Sequence, residues 1–276
     1  MTTEVPVRRF GVRAARRALK GSLPSDLVAE LIENRVDAEA YLRPLYDEMS
    51  DEQARLHFGA EEPLEHEHLR RALRYFHAWR QHVLRERIGG RLASARMLDV
   101  GDTDGLMLKH LGKEGLGFNL APAAVANIRA NGIEAQLGDG QELPFDDASF
   151  DYVLCFETLE HVEDPIRLLG QLERVCAPGG RVFISIPWVP RTFVHARDPS
   201  INRGYGHIFE FSRQDFASLL SHTRLRLRWE AVCDLIGRPT RPAHRVFLAA
   251  TRGSHVLAGG FRRFQFFELE PGATNP

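Results

Sequence analysis

The sequence predicts an α/β fold, an open and mostly parallel sheet covered on both faces, with a helical segment in front of it. Two observations carry this expectation. Runs rich in strand-forming residues alternate with helical runs after Gly89-Gly90, and before those glycines the apolar residues recur at helical spacing. Size and composition agree: 276 residues, 43% hydrophobic and 26% charged, suffice for a large core without disulfides and argue against disorder, collagen-like repeats and coiled coils.

Residues 1–92 read as a helical cap. Ser25 is placed as an N-cap before Leu27, Val28, Leu31 and Ile32, and Ser50 with Gln53 is read as a capping box. From His68 to Arg87, the residues Leu69, Ala72, Leu73, Phe76, Trp79 and Val83 trace one apolar face. Phe58, Tyr75, Phe76 and Trp79 are expected in the core between cap and sheet, and Arg70, Arg71, Arg74 and Arg80 on a solvated face. Glu65-His66-Glu67-His68 is expected to be a solvated helix start rather than a metal site, because neighbouring helical residues diverge by about 100°.

Residues 93–250 carry the alternating grammar. Strands are expected at Arg96–Val100, Gly115–Leu120, Ile133–Gly138, Phe150–Phe156 and Arg181–Pro187, and helices at Gly105–Leu111, Pro122–Ala130 and Asp164–Cys176, with Pro165 in a first turn. Ser212 with Asp215 marks a further helix start. Two later runs, Leu225–Cys233 and Arg245–Ala250, are expected to pair as an antiparallel edge. The tail, 251–276, carries Phe261, Phe264, Phe266 and Phe267 and is expected to dock on the domain.

Lys+Arg is 36 against Asp+Glu 37, so no basic field exists to hold nucleic acid or an anionic membrane, and neither is expected as a partner. No run approaches the ~20 apolar residues of a membrane span. Cys155, Cys176 and Cys233 lack CxxC spacing, which suits buried thiols in a reducing cytoplasm and speaks against a metal centre.

The most informative stretch is Met97-Leu98-Asp99-Val100-Gly101-Asp102-Thr103-Asp104-Gly105, an apolar strand entering a tight turn and then a helix. Open parallel sheets bind ligands at such strand ends. The glycine spacing is not that of a dinucleotide fingerprint, so a nicotinamide cofactor is not expected. Downstream stand Leu143-Pro144-Phe145, Ser149-Phe150-Asp151, Leu159-Glu160-His161, Asp164-Pro165, Arg174-Val175 and Pro178-Gly179-Gly180. In this order and spacing, over roughly residues 96 to 222, the chain resembles the class I S-adenosylmethionine-dependent methyltransferases, particularly their small-molecule branch.

The resemblance implies a Rossmann-like methyltransferase fold of seven strands with an antiparallel final strand, S-adenosylmethionine as cofactor, and a small molecule as the methyl acceptor through oxygen, nitrogen or carbon. It implies that Asp99, Gly101, Thr103 and Gly105 line the methionine half, Asn119 and Leu120 the ribose side, Asp139 and Gly140 the adenine, and Phe156 the wall beside the sulfonium. The residue types suit these tasks: small residues let backbone approach a ligand, and carboxylates or amides accept from hydroxyls and exocyclic amines. A protein methyltransferase and a non-catalytic module on the same fold are the competing readings.

Two residues depart from the family's pattern. Thr103 stands where a glycine is usual, so its backbone must stay in the ordinary region or carry strain. Asn119 replaces the usual acid at the second strand's end, a loss of about 1 kcal/mol in hydrogen bonding. Asp102 and Asp104 either bring charge to the cofactor loop or are solvated loop acids. The catalytic candidates are His161 and His207, since an imidazole can take a proton from a hydroxyl acceptor near neutrality. For His161 the alternative is that, with Glu160, it bonds backbone to shape the loop, and for His207 and Glu210 that the H-x-x-E spacing is a plain loop entering a helix. The long segment Trp188–Gly206 reads as a lid that sets acceptor choice.

Overall fold

The computed structural model describes residues 67–112, 115–189, 191–194, 206–234 and 262–272. The expectations placed on Ser25, Ser50, Gln53, Phe58, Tyr205 and residues 245–250 lie outside these residues, as does most of the expected lid.

Helix α1 spans Glu67–Ile88 and buries Phe76, Trp79, Val83, Leu84 and Ile88 along one side, the stripe that its spacing predicts. Gly89, at φ 62°, ends it in the left-handed conformation that a side chain disfavours. The sheet begins after the 3-10 turn Gly89–Ser94. Its strands are β1 (Met97–Val100), β2 (Leu116–Asn119), β3 (Glu134–Leu137), β4 (Phe150–Phe156), β5 (Cys176–Pro187), β8 (Arg226–Asp234) and β9 (Arg262–Glu270), in the spatial order β3-β2-β1-β4-β5-β9-β8. The first five run parallel, and β9 is antiparallel to both β5 and β8. A separate short ribbon pairs β6 (Phe193–Val194) with β7 (Phe209–Glu210).

The crossover helices fall where the sequence puts them. They are α2 (Leu106–His110), α3 (Pro122–Ala130), α4 (Pro165–Val175) and α5 (Arg213–Leu220). Pro122 and Pro165 occupy first turns, where a missing N–H costs nothing. The Asp164 carboxylate caps α4 by accepting from the Arg167 amide at 2.9 Å, and the Ser212 hydroxyl caps α5 by accepting from the Asp215 amide at 3.2 Å.

Strand alternation sorts the core into two faces. Met97, Tyr152, Leu154, Phe183, Phe264 and Phe266 pack with α1 and α2, whereas Leu98, Val153, Cys155, Val182, Ile184 and Phe267 pack with α4 and α5. Both faces are covered, so β4 and β5 read as continuous apolar runs.

The Leu225–Cys233 run corresponds to β8, while its expected partner 245–250 lies outside the described residues; among these, β8 pairs with β9, which lies between β5 and β8. The reason lies in Phe264-Gln265-Phe266-Phe267-Glu268-Leu269: every one of these side chains is buried, as an internal strand requires. Strands from both sides of residue 250 thus belong to one sheet. β5 also starts earlier than Arg181, with a register shift opposite Phe150/Tyr152. Gly180 permits this, since a Cβ there would lie 2.5 Å from the Asp151 carbonyl oxygen. No described helix is long and apolar enough to cross a membrane.

Candidate active site

The carboxyl ends of β1, β2, β3 and β4 converge on one edge, and each of the singled-out residues on these strands lies there. The turn after β1 opens on Gly101, at φ 88°, whose amide donates to the Phe118 carbonyl at 2.8 Å. A Cβ at Gly101 would overlap the Thr158 side chain, so the β1 and β4 loops meet only because residue 101 has none. Gly105, at φ 73°, starts α2. Thr103 is not among the positive-φ residues, and the turn accommodates it without backbone strain.

Asp102 and Asp104 are not solvated loop acids, because both are buried. The Asp102 carboxylate accepts from the Asp104 amide at 3.1 Å and the Gly105 amide at 2.8 Å, and the Asp104 carboxylate accepts from the Leu106 amide at 3.0 Å. They hold the turn by satisfying amides that the short helix leaves open. Asp99 is buried behind them. Burial first, then the charges of Asp102 and Asp104, push its carboxyl well above the usual range, with Arg80 opposing.

Asn119 is engaged at both ends of its amide: Nδ2 donates to the Asp102 carbonyl at 2.7 Å, and Oδ1 accepts from the Ala121 amide at 2.8 Å. It thereby ties the β2 end to the β1 turn. Leu120 beside it is 70% exposed, an apolar surface open at the mouth of the edge. Asp139 accepts from the Gln141 amide at 2.9 Å and starts a 3-10 turn at Gly140. A Cβ on Gly140 would press on Val100 and Leu168 at 3.0 and 3.2 Å.

The end of β4 holds the reactive side chains. Phe156 stands on the α1 side, its ring 5.4 Å from that of Phe266. Glu157 follows at φ 49°, and the turn Leu159–His161 comes next. Glu160 is fully buried, with neither carboxylate oxygen hydrogen-bonded, so the expected loop-shaping role of its side chain does not hold; its backbone carbonyl does that work by accepting from the Ile208 amide at 2.8 Å. Burial, reinforced by Glu157, pushes the Glu160 carboxyl well above the usual range.

The Ile208 contact brings the His207 segment over the β4 turn. The rings of His161 and His207 meet edge to face at 4.7 Å. His207 Nδ1 lies 3.4 Å from Glu210 Oε1, and Nε2 lies 4.0 Å from Glu160 Oε1. Desolvation against these neighbours and the charge of His207 lower His161 to about 4, with a backbone hydrogen bond at Gly206 acting the other way. One ligand atom each from Glu160, His161 and His207 falls within 4.8 Å of the others, a spacing open to a cation.

Arg80 is the main departure from the sequence reading. Expected on a solvated face, it is 2% exposed, and it is the one arginine buried among the described residues. Its Nη2 lies 3.2 Å from Glu157 Oε1 and 3.2 Å from Ser185 Oγ. The signal was present: Phe76, Arg80 and Leu84 follow one another at intervals of four on the buried stripe, so Arg80 stands on the apolar side.

The open, mostly parallel sheet with a glycine turn after β1 and a reversed final hairpin is the fold of the class I S-adenosylmethionine-dependent methyltransferases, and the similarity to curated relatives shows that the chain belongs to that family. A methyltransferase-domain profile matches residues 98–184. The particular relatives are O-methyltransferases: the chain is 32% identical over 173 residues to a ubiquinone biosynthesis O-methyltransferase of Xanthomonas oryzae pv. oryzae, covering 56% of this chain and 72% of that protein. Among solved structures, a geranyl diphosphate C-methyltransferase from Streptomyces coelicolor superposes with a TM-score of 0.52 at 14% identity, over 76% of this chain and 83% of its own. A [4+2]-cyclase shares the fold at a TM-score of 0.50 and 18% identity, over 71% of this chain and 82% of its own. Such likenesses establish architecture, and the same architecture hosts different reactions.

The residues present fit S-adenosylmethionine. Gly101 and Gly105, both at positive φ, form the tight turn at the ligand edge, and the exposed Asp139 carboxylate can accept from a hydroxyl or an exocyclic amine.

Proposed function

We propose that the chain methylates a hydroxyl oxygen of a small molecule, and that His161, braced by His207, receives the hydroxyl proton. When bound, S-adenosylmethionine supplies an electrophilic methyl group on its sulfonium. The role of the protein is then to hold the acceptor oxygen in line with that methyl and to give its proton somewhere to go. With that cofactor bound, the acceptor oxygen would take the methyl group while its proton passed to the His161 imidazole, the residue that would hold it.

The observation that carries this reading is the His161–His207 pair at the end of β4. His161 is neutral across the physiological range, so it is available to accept a hydrogen bond. Glu210 Oε1, 3.4 Å from His207 Nδ1, steadies that ring against His161. The similarity to O-methyltransferases supports oxygen over nitrogen or carbon as the acceptor atom. On this reading Asp99, Gly101, Thr103 and Gly105 would hold the methionine half of the cofactor, Asn119 and Leu120 the ribose side, Asp139 and Gly140 the adenine, and Phe156 the sulfonium wall.

The test is incubation with methyl-labelled S-adenosylmethionine and a panel of small phenols, alcohols and amines, with mass spectrometry of the products. The expected result is a labelled methyl ether, with turnover reduced about a hundredfold or more in His161→Gln. Labelled amines only, or unchanged turnover in that variant, would overturn the assignment of the atom or of the base respectively.

A further inference from the structure

We infer that Arg80 is a positioning residue for methyl transfer, clamping Glu157 in a left-handed backbone conformation at the acceptor side of the site. The inference deepens the proposed reading and rests on it only for the location of the acceptor.

Glu157 is one of two residues other than glycine with positive φ among those described, and it directly follows β4 at the edge where ligands bind. Such a conformation is strained for a residue with a side chain and persists only where surrounding contacts enforce it. Three contacts do so here. The Glu157 amide donates to the Ser185 carbonyl at 2.9 Å, Ser185 Oγ donates to Glu157 Oε1 at 2.8 Å, and Arg80 Nη2 reaches the same Oε1 at 3.2 Å. All act on the backbone or on Oε1. Oε2 has no partner among the described residues, on a side chain that is 33% exposed, and it is the oxygen left to meet a polar group of the acceptor.

Arg80 is itself fixed from three sides. Its guanidinium carbon lies 4.3 Å from the centroid of Phe264 and 5.4 Å from that of Phe156, and Nη2 also donates to Ser185. A buried ion pair is a poor way to gain stability, because an apolar pair of the same volume does as well or better. What it does provide is a defined geometry between α1, the end of β4 and the end of β5. A fork that touches Glu157 and Ser185 at once cannot be copied by a lysine ammonium.

The variants Arg80→Lys, Arg80→Met and Glu157→Gln test this. Three quantities are measured: cofactor affinity by calorimetry, kcat and KM for whichever acceptor the wild type methylates, and amide hydrogen exchange over residues 156–161. Arg80→Met is expected to lower kcat/KM for the acceptor by about a hundredfold, as small displacements from reacting geometry do. Cofactor affinity is expected to change less than about threefold, and Arg80→Lys to recover part of the loss. Exchange over 156–161 is expected to accelerate about tenfold or more in Arg80→Met, a readout that needs no acceptor. Arg80→Lys, which keeps the charge, serves if the methionine variant does not fold. Unchanged exchange, or equal losses in cofactor affinity and acceptor turnover, would overturn the positioning role. A wild type that methylates nitrogen would overturn the hydroxyl assignment and leave the clamp test standing.

Discussion

Two buried carboxyls, Asp99 and Glu160, sit at the ligand edge with their acidities displaced in the same direction. The sign for Glu160 follows from linkage. Its folded-state proton affinity is raised, so the native protein keeps a proton that the unfolded chain loses above about 4.5. Its contribution to stability is therefore fully present below that pH and declines as pH rises through the folded value. Glu160→Gln removes this decline. The variant is expected to be more stable than the wild type on the alkaline side of the window by roughly 1–3 kcal/mol, the usual cost of a buried polar group without a partner. The advantage should vanish on acidification. Denaturant titrations at several pH values measure it, and a variant less stable than the wild type at every pH would show that the carboxylate is satisfied in the protein as it exists.

Strand β9 shows what an element contributes beyond its residues. It lies between β5 and β8 with a core on each face, and Phe266 alone meets the rings of Trp79, Phe156, Phe183 and Trp229. Phe266→Ala is expected to cost about 3–5 kcal/mol, read from the unfolding midpoint in denaturant. A cost below about 1 kcal/mol would mean that the strand is peripheral. The spacing of residues does not reveal this strand, for a physical reason. Within it, residues 264–269 are buried on both faces, so the strand lacks the polar alternation of a half-exposed one, and its partner β8 is distant in sequence. Elements joined by local crossovers were legible: α3 was placed at its observed bounds and β4 likewise, because Pro122 and the alternation of helix and strand are local signals. The candidate site was legible to the same depth. Strand-end positions such as Gly101, Asp139 and His161 follow from the β–turn–α grammar. Arg80, Glu157 and Ser185 meet only when α1, β4 and β5 are brought together, and the sequence does not state that packing. The sequence left two readings of Asp102 and Asp104 open because the capping of their own turn that buries them is not visible in it.

At the scale of the whole molecule, β1 and the turn after β4 bring Asp99, Glu157 and Glu160 about one buried arginine, Arg80, a grouping that the full chain's net charge of -1 does not reveal. The central claim is that this edge holds S-adenosylmethionine. Calorimetric titration of the full chain with S-adenosylmethionine, beside an Asp139→Ala variant shown to be folded, tests it most directly. The account predicts one site per chain at micromolar affinity, with binding lost in the variant. A folded wild type that gives no binding heat at millimolar cofactor over a range of temperatures, or a variant that binds as tightly as the wild type, would contradict it.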